Sequence, residues 1–328
     1  MNNTYKVSIL VPVYGVEKYI AQCAESLFTQ DYENIEFVFV NDCTKDKSID
    51  CLLDVVSRFP NRKNQVKIIN HQQNKGLAAA RNTALDNSTG DFVLPFDSDD
   101  FLNDTSAVST LMSEVYAKKA DIVFYDLQNY PNAEPRVVFN IPLAPNHLTK
   151  EILKRQTYMS LCGGLYRKTL FVDNHIRSIE NISMGEDYAI KPRLVYYSKV
   201  IAYVNQPYYC YRQENTDAIT KKFKSSQIED LRRCIDGFYE FFGSKADFNE
   251  YEDAIQIAEI RCKVLAVKSW AFFKGTKKDF KMINELFPKK PDSKKYLSKM
   301  ECLLYLLSSY HLNNIIRLIY KLKCVFGN

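Results

Sequence analysis

The first 130 residues alternate between short apolar runs and segments with helical periodicity, and this alternation restricts the possible folds more than any other feature. Apolar runs of strand length occupy 6–13, 35–41, 66–70, 91–96 and 121–126. Between them, apolar residues recur at helical spacing near 19–28, 49–59, 76–86 and 106–119. Strands that are apolar throughout are buried on both faces. The pattern therefore predicts an α/β fold in which helices cover both faces of a mostly parallel, Rossmann-like sheet.

The alternation weakens after residue 130. We predict a β-segment at 136–141, a helix at 185–197 and two further strands at 200–205 and 208–212. After about residue 222 only helical periodicity remains. The sequence thus predicts a first domain at 1–222 and a C-terminal helical region at 223–328.

Composition indicates a globular protein with a large core. The chain has 328 residues, of which 46% are hydrophobic and 25% are charged. The nine cysteines are odd in number and form no C-x-x-C pair. This usage favours thiols in a reducing compartment over a disulfide framework or a zinc site. The sequence also shows no signal-peptide pattern and no apolar run of the ~18 residues that a membrane span needs, so we expect a cytoplasmic location.

The formal net charge of +5 is unevenly distributed. Residues 261–328 contain fifteen Lys or Arg and four Asp or Glu, which leaves the rest of the chain net acidic. A basic C-terminal region can attract nucleic acid, anionic lipid or an acidic saccharide. It can also be the solvated face of ordinary helices.

The stretch VLPFDSDDFL (93–102) ends an apolar run with three carboxylates, Asp97, Asp99 and Asp100. Such a cluster can be solvated in a turn, can cap the next helix or can hold a cation. Asp97 and Asp99 are two residues apart, so their side chains point to the same side of an extended segment. That spacing suits one divalent ion with oxygen ligands. Asp100 falls on the other side and is predicted to cap or orient a neighbouring segment.

Other polar residues follow the remaining predicted parallel strands. In an open parallel sheet, ligands bind beyond the carboxyl ends of the strands. Tyr14 follows the first strand, Asp42 the second, and Lys75 and Arg81 the third. We predict a nucleotide site in which Tyr14 stacks on a base, Asp42 accepts a base N–H, and the two cations meet phosphate oxygens. A divalent ion on Asp99 would bridge the diphosphate.

Five stretches, in this order, resemble the inverting glycosyltransferases of family 2, which have the GT-A fold. They are VSILVPVYGVEKYIAQCAESLFTQDY, IEFVFVNDCTKDKS, NKGLAAARNTAL, GDFVLPFDSDDFL with its D-x-D element, and MGEDYAI. Together they cover roughly the first two-thirds of the chain. The resemblance implies a GT-A domain at 1–222, with a nucleotide-sugar half at about 1–100 and an acceptor half at about 101–222. It also implies a UDP-sugar donor and a Mn²⁺ or Mg²⁺ ion.

The resemblance assigns a role to several of these residues. It places Asp97 near the ribose and Asp99 on the metal. Lys75 and Arg81 fall in the stretch that family members use on the phosphate side. The residues assigned to the base are Pro12, Val13, Tyr14 and Asp42. The predicted nucleotide-sugar site also includes Glu17, Gly76 and Ser98.

The chain departs from the family pattern in three places. Gly15 stands where members often have Asn, and Cys43-Thr44 stands where they often have Gly-Ser. Some members use a late histidine as a further metal ligand. Here the only histidine after MGEDYAI is His311, in the helical region. Water or phosphate is therefore expected to complete the coordination of the ion.

The second half of the reaction requires a base, because the acceptor hydroxyl must lose a proton as it attacks. GED (185–187) offers two carboxylates at a predicted helix start, where acidic residues also complement the helix dipole. The resemblance favours catalysis, since the family's base lies in this element. We predict that Asp187 is the base and that Glu186 orients acceptor or donor. Attack from the opposite face would form a β-linkage from an α-linked donor.

Several other residues have simpler interpretations. His71, His147, His175 and His311 show no ligand spacing and are expected at the surface or with satisfied hydrogen bonds. Trp270 is expected in the core, and Tyr208, Tyr209 and Tyr211 in the core or in the crevice wall. Arg212 suits either the diphosphate or a structural ion pair. The small residues of CGGLY (162–166) would allow close approach beneath an acceptor.

The resemblance also suggests a biological setting. Many bacterial members extend saccharides carried on a polyprenyl diphosphate, which points to a hexosyltransferase, using glucose or galactose, in O-antigen or capsule-type surface polysaccharide (lipopolysaccharide) synthesis. No nucleic-acid partner is expected. Apolar residues share one face of a basic C-terminal helix, which either lies against the inner face of the cell membrane or packs on the catalytic domain. That face contains Leu312, Ile315, Ile316, Ile319 and Leu322, and the basic residues around it are Lys289, Lys290, Lys294, Lys295, Lys299, Arg317, Lys321 and Lys323.

Three alternatives compete with this prediction. A sugar-phosphate nucleotidyltransferase also needs a metal near a diphosphate, but VPVYGVEKY is not the Gly-rich, Arg-bearing loop of that class. A non-catalytic sugar-nucleotide-binding protein would be expected to lack Asp99 or Asp187. Binding of NAD is disfavoured because no G-x-G-x-x-G follows the first strand.

Overall fold

The computed structural model describes residues 4–132, 134–136, 141–215, 223–290 and 296–326, with side chains in the last helix described up to residue 321. The strands are β1 Val7–Val13, β2 Ile35–Asn41, β3 Val66–Asn70, β4 Phe92–Pro95, β5 Phe101–Leu102, β6 Ile122–Tyr130, β7 Pro135–Arg136, β8 Gly164–Arg167 and β9 Ile201–Arg212. The helices are α1 Ile20–Phe28, α2 Ser48–Arg58, α3 Leu77–Asn87, α4 Ala107–Lys118, α5 Pro145–Leu153, α6 Thr169–Val172, α7 Glu186–Tyr197, α8 Ser226–Gly243, α9 Glu252–Phe272, α10 Lys277–Leu286, α11 Lys299–Ser309 and α12 Asn313–Phe326.

The described strands form one sheet in the order β3-β2-β1-β4-β8-β6-β9-β5, with β7 beside β6. As predicted, β3, β2, β1 and β4 are mutually parallel. The other half is mixed, because β8 runs antiparallel to both of its neighbours, β4 and β6. The first half therefore brings the carboxyl ends of its parallel strands to one edge.

Burial explains the first half of the sheet. Every residue of β1 is buried, and so are the apolar residues of β2. The predicted apolar face of α1 is buried as well, and Phe28 packs edge-on against Phe37 with ring centroids 4.9 Å apart. Each such side chain contributes about 1.5–3 kcal/mol when it leaves water. Apolar burial on both faces thus fixes the strands from which the polar residues emerge.

The second half corrects one detail of the sequence analysis. The two strands predicted at 200–205 and 208–212 are one strand, β9, which runs parallel to β6. Tyr125 pairs with Val204 and Leu127 with Tyr209, so the residues between them form an irregularity that contains Pro207. A proline, which has no N–H to donate, is tolerated at such a bulge. Of the predicted segment 136–141, residues 137–140 lie outside the described residues.

The chain divides into two compact units. The first comprises Met1–Thr149, Thr157–Asn181 and Ile190–Thr216, and the second Lys150–Gln156, Ile182–Ala189 and Asp217–Asn328. A single boundary near residue 222 therefore omits two short segments that belong to the helical unit, one from α5 and one containing the start of α7. Sequence periodicity gives no sign of this, because the grouping depends on contacts between distant parts of the chain.

The helical unit has its own core. Trp270 is fully buried there, as expected, and its indole N–H donates to the Thr276 carbonyl at 2.7 Å. In the part of the chain that the structure describes, none of the helices has both the length and the apolar character needed to cross a bilayer. The described cysteines form no disulfide bond with one another.

Candidate functional site

The ends of β1, β2 and β3 lie side by side in the first unit. Val13 pairs with Asn41, and Asn41 pairs with Asn70. The residues that follow these strands, Tyr14, Asp42 and His71, therefore emerge at the same edge of the sheet. The acidic stretch after β4 continues this edge, since β4 pairs with β1 on its other side. The polar residues that the sequence analysis placed at the strand ends thus lie along one edge of the sheet.

The loop after β1 is held by the loop after β2. The Gly15 N–H donates to Thr44 Oγ1 at 2.9 Å, and Gly15 has a φ of +69°. The Glu17 carboxylate accepts from the Lys47 N–H at 3.0 Å. Pro12 and Val13 are buried within β1, whereas half of the Tyr14 side chain is exposed. Tyr14 therefore exposes an aromatic ring just after β1, while Pro12, Val13 and Glu17 shape the segment that carries it.

Asp42 is buried at the end of β2. Its Oδ1 lies 2.7 Å from His71 Nδ1 and accepts from the Lys75 N–H at 2.8 Å. Its Oδ2 accepts from the Gly76 N–H at 2.8 Å. His71 Nε2 lies 2.9 Å from Thr83 Oγ1, so this histidine has satisfied hydrogen bonds, as expected. The Lys75 side chain itself is exposed.

The three acids after β4 have different partners. Asp97 Oδ1 accepts from Arg81 Nη2 at 2.9 Å. Asp99 Oδ2 accepts from Asn215 Nδ2 at 2.8 Å. Asp100 is buried. Arg81 is itself buried, so its guanidinium supports Asp97 at the β4 end of the crevice. Ser98, between the acids, is also buried.

Asp100 joins the acidic stretch to β9. Its carboxylate accepts from the Tyr209 hydroxyl at 2.6 Å and from the Arg212 N–H at 2.7 Å. Of the two roles considered from sequence, capping and orienting, these contacts correspond to orienting. Asp100 therefore holds the strand end through both of its carboxylate oxygens.

The carboxylates of the acidic stretch repel one another, although Arg81 and Arg212 lie beside them. Burial and then the charge of Asp97 raise the pKa of Asp99. Burial and then the charges of Asp99 and Asp97 raise the pKa of Asp100 well above its usual range. Hydrogen bonds from Asn215 and Tyr209 only partly oppose these effects. A cation beside Asp97 and Asp99 would remove the mutual repulsion of these carboxylates.

Arg212 shapes this stretch rather than opening towards the crevice. Its Nε donates to the Asp99 carbonyl at 2.8 Å, and its Nη2 donates to Gln22 Oε1 at 2.5 Å. The guanidinium also lies within about 5.5 Å of three ring centroids, those of Tyr19, Phe101 and Tyr130. Of the two roles considered from sequence, these contacts are those of a structural residue.

A divalent ion would find two carboxylates here. Within the described ranges, no group of three or more His, Cys, Asp or Glu side chains is arranged to hold a metal ion. Asp97 and Asp99 carry the oxygen ligands that Mg²⁺ and Mn²⁺ prefer, and their repulsion suits a positive ion. The residues fit an ion that takes its remaining ligands from a bound diphosphate and water.

Glu186 and Asp187 open α7 and belong to the second unit. Gly185, just before them, has a φ of +88° and its carbonyl accepts from the Ala189 N–H at 2.8 Å. Ser183 donates through its N–H and its hydroxyl to Asp230 Oδ2 at 2.8 and 2.9 Å. Both acids are half-buried. The segment that carries the two acids is therefore fixed within its own unit.

Sequence reasoning missed three residues of the crevice. His71 immediately follows β3, so the strand-end rule could have included it. Asn215 lies three residues beyond β9 and could have been found in the same way. Gln22 is on the first turn of α1 and contacts Arg212 from a distance of 190 residues in sequence, which no local pattern indicates.

Comparison with known proteins identifies the family. The model for "Glycosyl transferase family 2" matches residues 8–171, which include β1 to β4 and the acidic stretch. The chain belongs to this family. The chain is 31% identical over 220 residues to glycosyltransferase GlyA of Streptococcus pneumoniae, an alignment covering 63% of this chain and 30% of GlyA. It is 27% identical over 239 residues to GlyG of the same organism, covering 69% of this chain and 76% of GlyG.

Solved structures show the same fold as this family 2 chain. Staphylococcus aureus TarS 1–349 in complex with UDP-GlcNAc matches with a TM-score of 0.74 and 20% identity, covering 96% of this chain and 91% of that one. A mannosyltransferase from Pyrobaculum calidifontis in complex with GDP-Man and Mn²⁺ matches with a TM-score of 0.56 and 12% identity, covering 97% and 88%. The predicted GT-A fold, followed by C-terminal helices, is confirmed.

Proposed function

We propose that the chain is an inverting glycosyltransferase that moves a hexose from a UDP-sugar to a hydroxyl of a lipid-linked saccharide, forming a β-linkage. The observation that carries the proposal is the pair Asp97 and Asp99, whose carboxylates repel each other at the edge where Tyr14 and Asp42 also emerge. A family 2 chain with this arrangement can accept a base at one end of the crevice and a diphosphate at the other.

The donor would lie along the strand ends. The half-exposed ring of Tyr14 would stack on the base beside the buried Pro12 and Val13. Asp42 would accept a base N–H. TarS, with which this chain shares its fold, binds UDP-GlcNAc. The exposed Lys75 would meet the phosphates, while Arg81 would act by holding Asp97.

Asp99, with Asp97 beside it, would hold the divalent ion, Mn²⁺ or Mg²⁺. The ion would supply a Lewis acid for the departing diphosphate when bound. The Asn215 amide and the Arg212 guanidinium hold Asp99 and its backbone in place. The protein would therefore hold two neighbouring, partly buried carboxylates in the position where they bind the cation.

Asp187 would take the proton from the acceptor hydroxyl, and Glu186 would orient the acceptor or the donor. The proton moves to a carboxylate oxygen as the hydroxyl oxygen bonds to the anomeric carbon. Attack from the face opposite to the leaving diphosphate inverts that carbon. An α-linked UDP-hexose would then give a β-linked product.

The acceptor would be carried on polyprenyl diphosphate at the inner face of the cell membrane, in O-antigen or capsule-type polysaccharide synthesis. The support is an exposed apolar surface formed by α12 and by Leu312, which precedes it. Leu312, Ile315 and Leu318 are 42%, 44% and 55% exposed, and Ile315 and Leu318 are neighbours on the helix surface. Exposed lysines such as Lys289 and Lys321 add charge that attracts anionic lipid.

The inner side of α12 is anchored within the helical unit. Ile316 is fully buried, and Arg317 donates to the Gly275 carbonyl and lies 4.6 Å from the Trp270 ring centroid. The helix would therefore use one side for attachment and the other for the membrane. The remaining predicted residues, Lys294, Lys295, Leu322 and Lys323, lie outside the described side chains.

The proposal is tested by incubating purified protein with a panel of UDP-hexoses, Mn²⁺ and lipid-linked saccharide acceptors. We expect release of UDP and a β-linked product, identified by NMR of the anomeric proton. Release of pyrophosphate would instead indicate a nucleotidyltransferase, and UDP-sugar binding without turnover would indicate a non-catalytic protein. An α-linked product would contradict inversion.

A further inference from the structure

His71 and Asp42 form a buried hydrogen-bonded pair. The side chains are 5% and 4% exposed, and Nδ1 lies 2.7 Å from Oδ1. An ionised carboxylate can only accept hydrogen bonds, so Nδ1 carries the hydrogen. In the neutral imidazole, Nε2 then accepts from the Thr83 hydroxyl, 2.9 Å away. Thr83 thus fixes the ring orientation, and the ring in turn fixes the carboxylate.

The hydrogen bonds to Asp42 fill most of its acceptor positions. A carboxylate offers about four lone-pair positions, two on each oxygen. Oδ1 takes the hydrogens of His71 Nδ1 and the Lys75 N–H, and Oδ2 takes that of the Gly76 N–H. With respect to the described part of the chain, one position on Oδ2 is left for a ligand.

The direction of the Gly76 N–H depends on an unusual backbone. Gly76 has a φ of +86°, a conformation that side-chain-bearing residues rarely adopt, although an added Cβ would meet nothing within 4 Å. The loop before α3 is therefore shaped to point consecutive N–H groups at Asp42. This arrangement holds the carboxylate rigidly and leaves it a single acceptor direction.

We propose that His71 is a positioning residue that makes Asp42 selective for uracil among the pyrimidine bases. The inference rests on the proposed use of a UDP donor. Uracil presents one ring N–H, at N3, between two carbonyl groups, which matches one free acceptor position. Cytosine presents an unprotonated ring nitrogen at the same point, so a fixed carboxylate repels it. A carboxylate that is free to rotate would neither hold the uracil N3–H as well nor repel the cytosine ring nitrogen as strongly.

The helix that contacts Asp42 and His71 also contacts the acidic stretch after β4. Gly76 is the N-cap of α3, and Thr83 and Arg81 lie on that helix. Asp42 and His71 therefore hold α3 at two points, and Arg81 on the same helix holds Asp97. Helix α3 therefore supports both Asp42, which would bind the base, and the acidic stretch after β4.

The test measures UDP and CDP dissociation constants by calorimetry, in Mn²⁺, for wild-type protein and three variants. His71→Leu removes both ring hydrogen bonds, Thr83→Val removes only the outer one, and His71→Asn places an amide N–H near the Nδ1 position. We expect His71→Leu to reduce the preference for UDP over CDP about tenfold, as loss of one hydrogen bond to a charged group would. Thr83→Val should reduce it less, and His71→Asn should restore most of it.

Kinetics add a second readout. With a UDP-hexose donor, we expect His71→Leu to raise KM while kcat changes little. Equal loss of UDP and CDP affinity in His71→Leu and Thr83→Val, with the ratio unchanged, would overturn the positioning role and leave the UDP-donor proposal intact. Failure of wild-type protein to bind UDP would overturn both. If His71→Leu does not fold, the ratio in Thr83→Val decides.

Discussion

The ends of β2 and β4 both place buried carboxylates at the same edge of the sheet, yet their surroundings are opposite. Asp42, after β2, receives three N–H groups from His71, Lys75 and Gly76. After β4, Asp99 and Asp100 have raised pKa values because burial and neighbouring carboxylates are not compensated. The carboxylate at the β2 end therefore has room for one neutral N–H donor, whereas a cation would relieve the repulsion between the carboxylates at the β4 end. The position of a carboxylate at a strand end indicates a candidate binding site. Its hydrogen-bond partners and neighbouring charges then indicate which kind of ligand it suits.

The largest expected effect is at the β4 end. Asp99→Asn should nearly abolish sugar transfer, because loss of a charged metal ligand removes several kcal/mol of stabilisation from the leaving diphosphate. EDTA should have the same effect on wild-type protein. Asp104→Asn, a nearby exposed acid outside the crevice, is the matched control and should retain activity. Full transfer by Asp99→Asn, or by wild-type protein in metal-free buffer, would show that the acids do not hold a catalytic ion.

A substitution in the second unit should lower turnover but leave donor binding at the ends of β2 and β4 unchanged. Asp187→Asn should lower turnover by about 10²–10⁴-fold, the usual contribution of a general base, while UDP affinity is retained. Glu186→Gln should have a smaller effect on turnover. The assay combines transfer kinetics with UDP calorimetry on each variant. Near-normal turnover in Asp187→Asn together with an inactive Glu186→Gln would reverse the two roles.

The β4 end should also be sensitive to its hydroxyl partner. Tyr209→Phe removes the hydrogen bond to Asp100 and leaves a buried acid with one donor fewer. We expect a loss of about 1–3 kcal/mol in the free energy of unfolding, measured by urea denaturation. Tyr208→Phe, on the neighbouring and less buried tyrosine, is the control. An equally small change in both variants would mean that the Asp100 contact contributes little to the fold.

The smallest expected effect concerns α12 and should leave both strand ends unchanged. The double variant Ile315→Ser, Leu318→Ser should weaken sedimentation with anionic liposomes several-fold, because apolar area at the membrane interface is lost. Leu53→Ser, an equally exposed leucine on α2 in the first unit, is the control. Truncation after about residue 300 should weaken liposome binding further and slow transfer to a lipid-linked acceptor. If the full-length protein does not bind liposomes and the truncated protein is insoluble, the C-terminal residues belong to the core and the membrane proposal fails.

The sequence predicted the first half of the fold well because its strands are apolar throughout and its helices amphipathic. The same regularity located the crevice, since parallel strands end at one edge. Contacts between distant residues were not predictable. Neither the hydrogen bond from Arg81 to Asp97 nor the contact between His71 and Asp42 follows from local sequence spacing. Two strands were predicted at 200–205 and 208–212, but they are one strand, β9, with a register shift that contains Pro207.

The central claim is that binding of the base beside Asp42 requires no cation, whereas binding of the diphosphate beside Asp97 and Asp99 does. Calorimetry of uridine and of UDP, each with and without Mn²⁺, tests it directly. The account predicts that removing Mn²⁺ weakens UDP binding at least tenfold, or about 1.4 kcal/mol, and leaves uridine binding unchanged. Equal UDP affinity with and without the ion, or an equal loss for uridine and UDP, would contradict it.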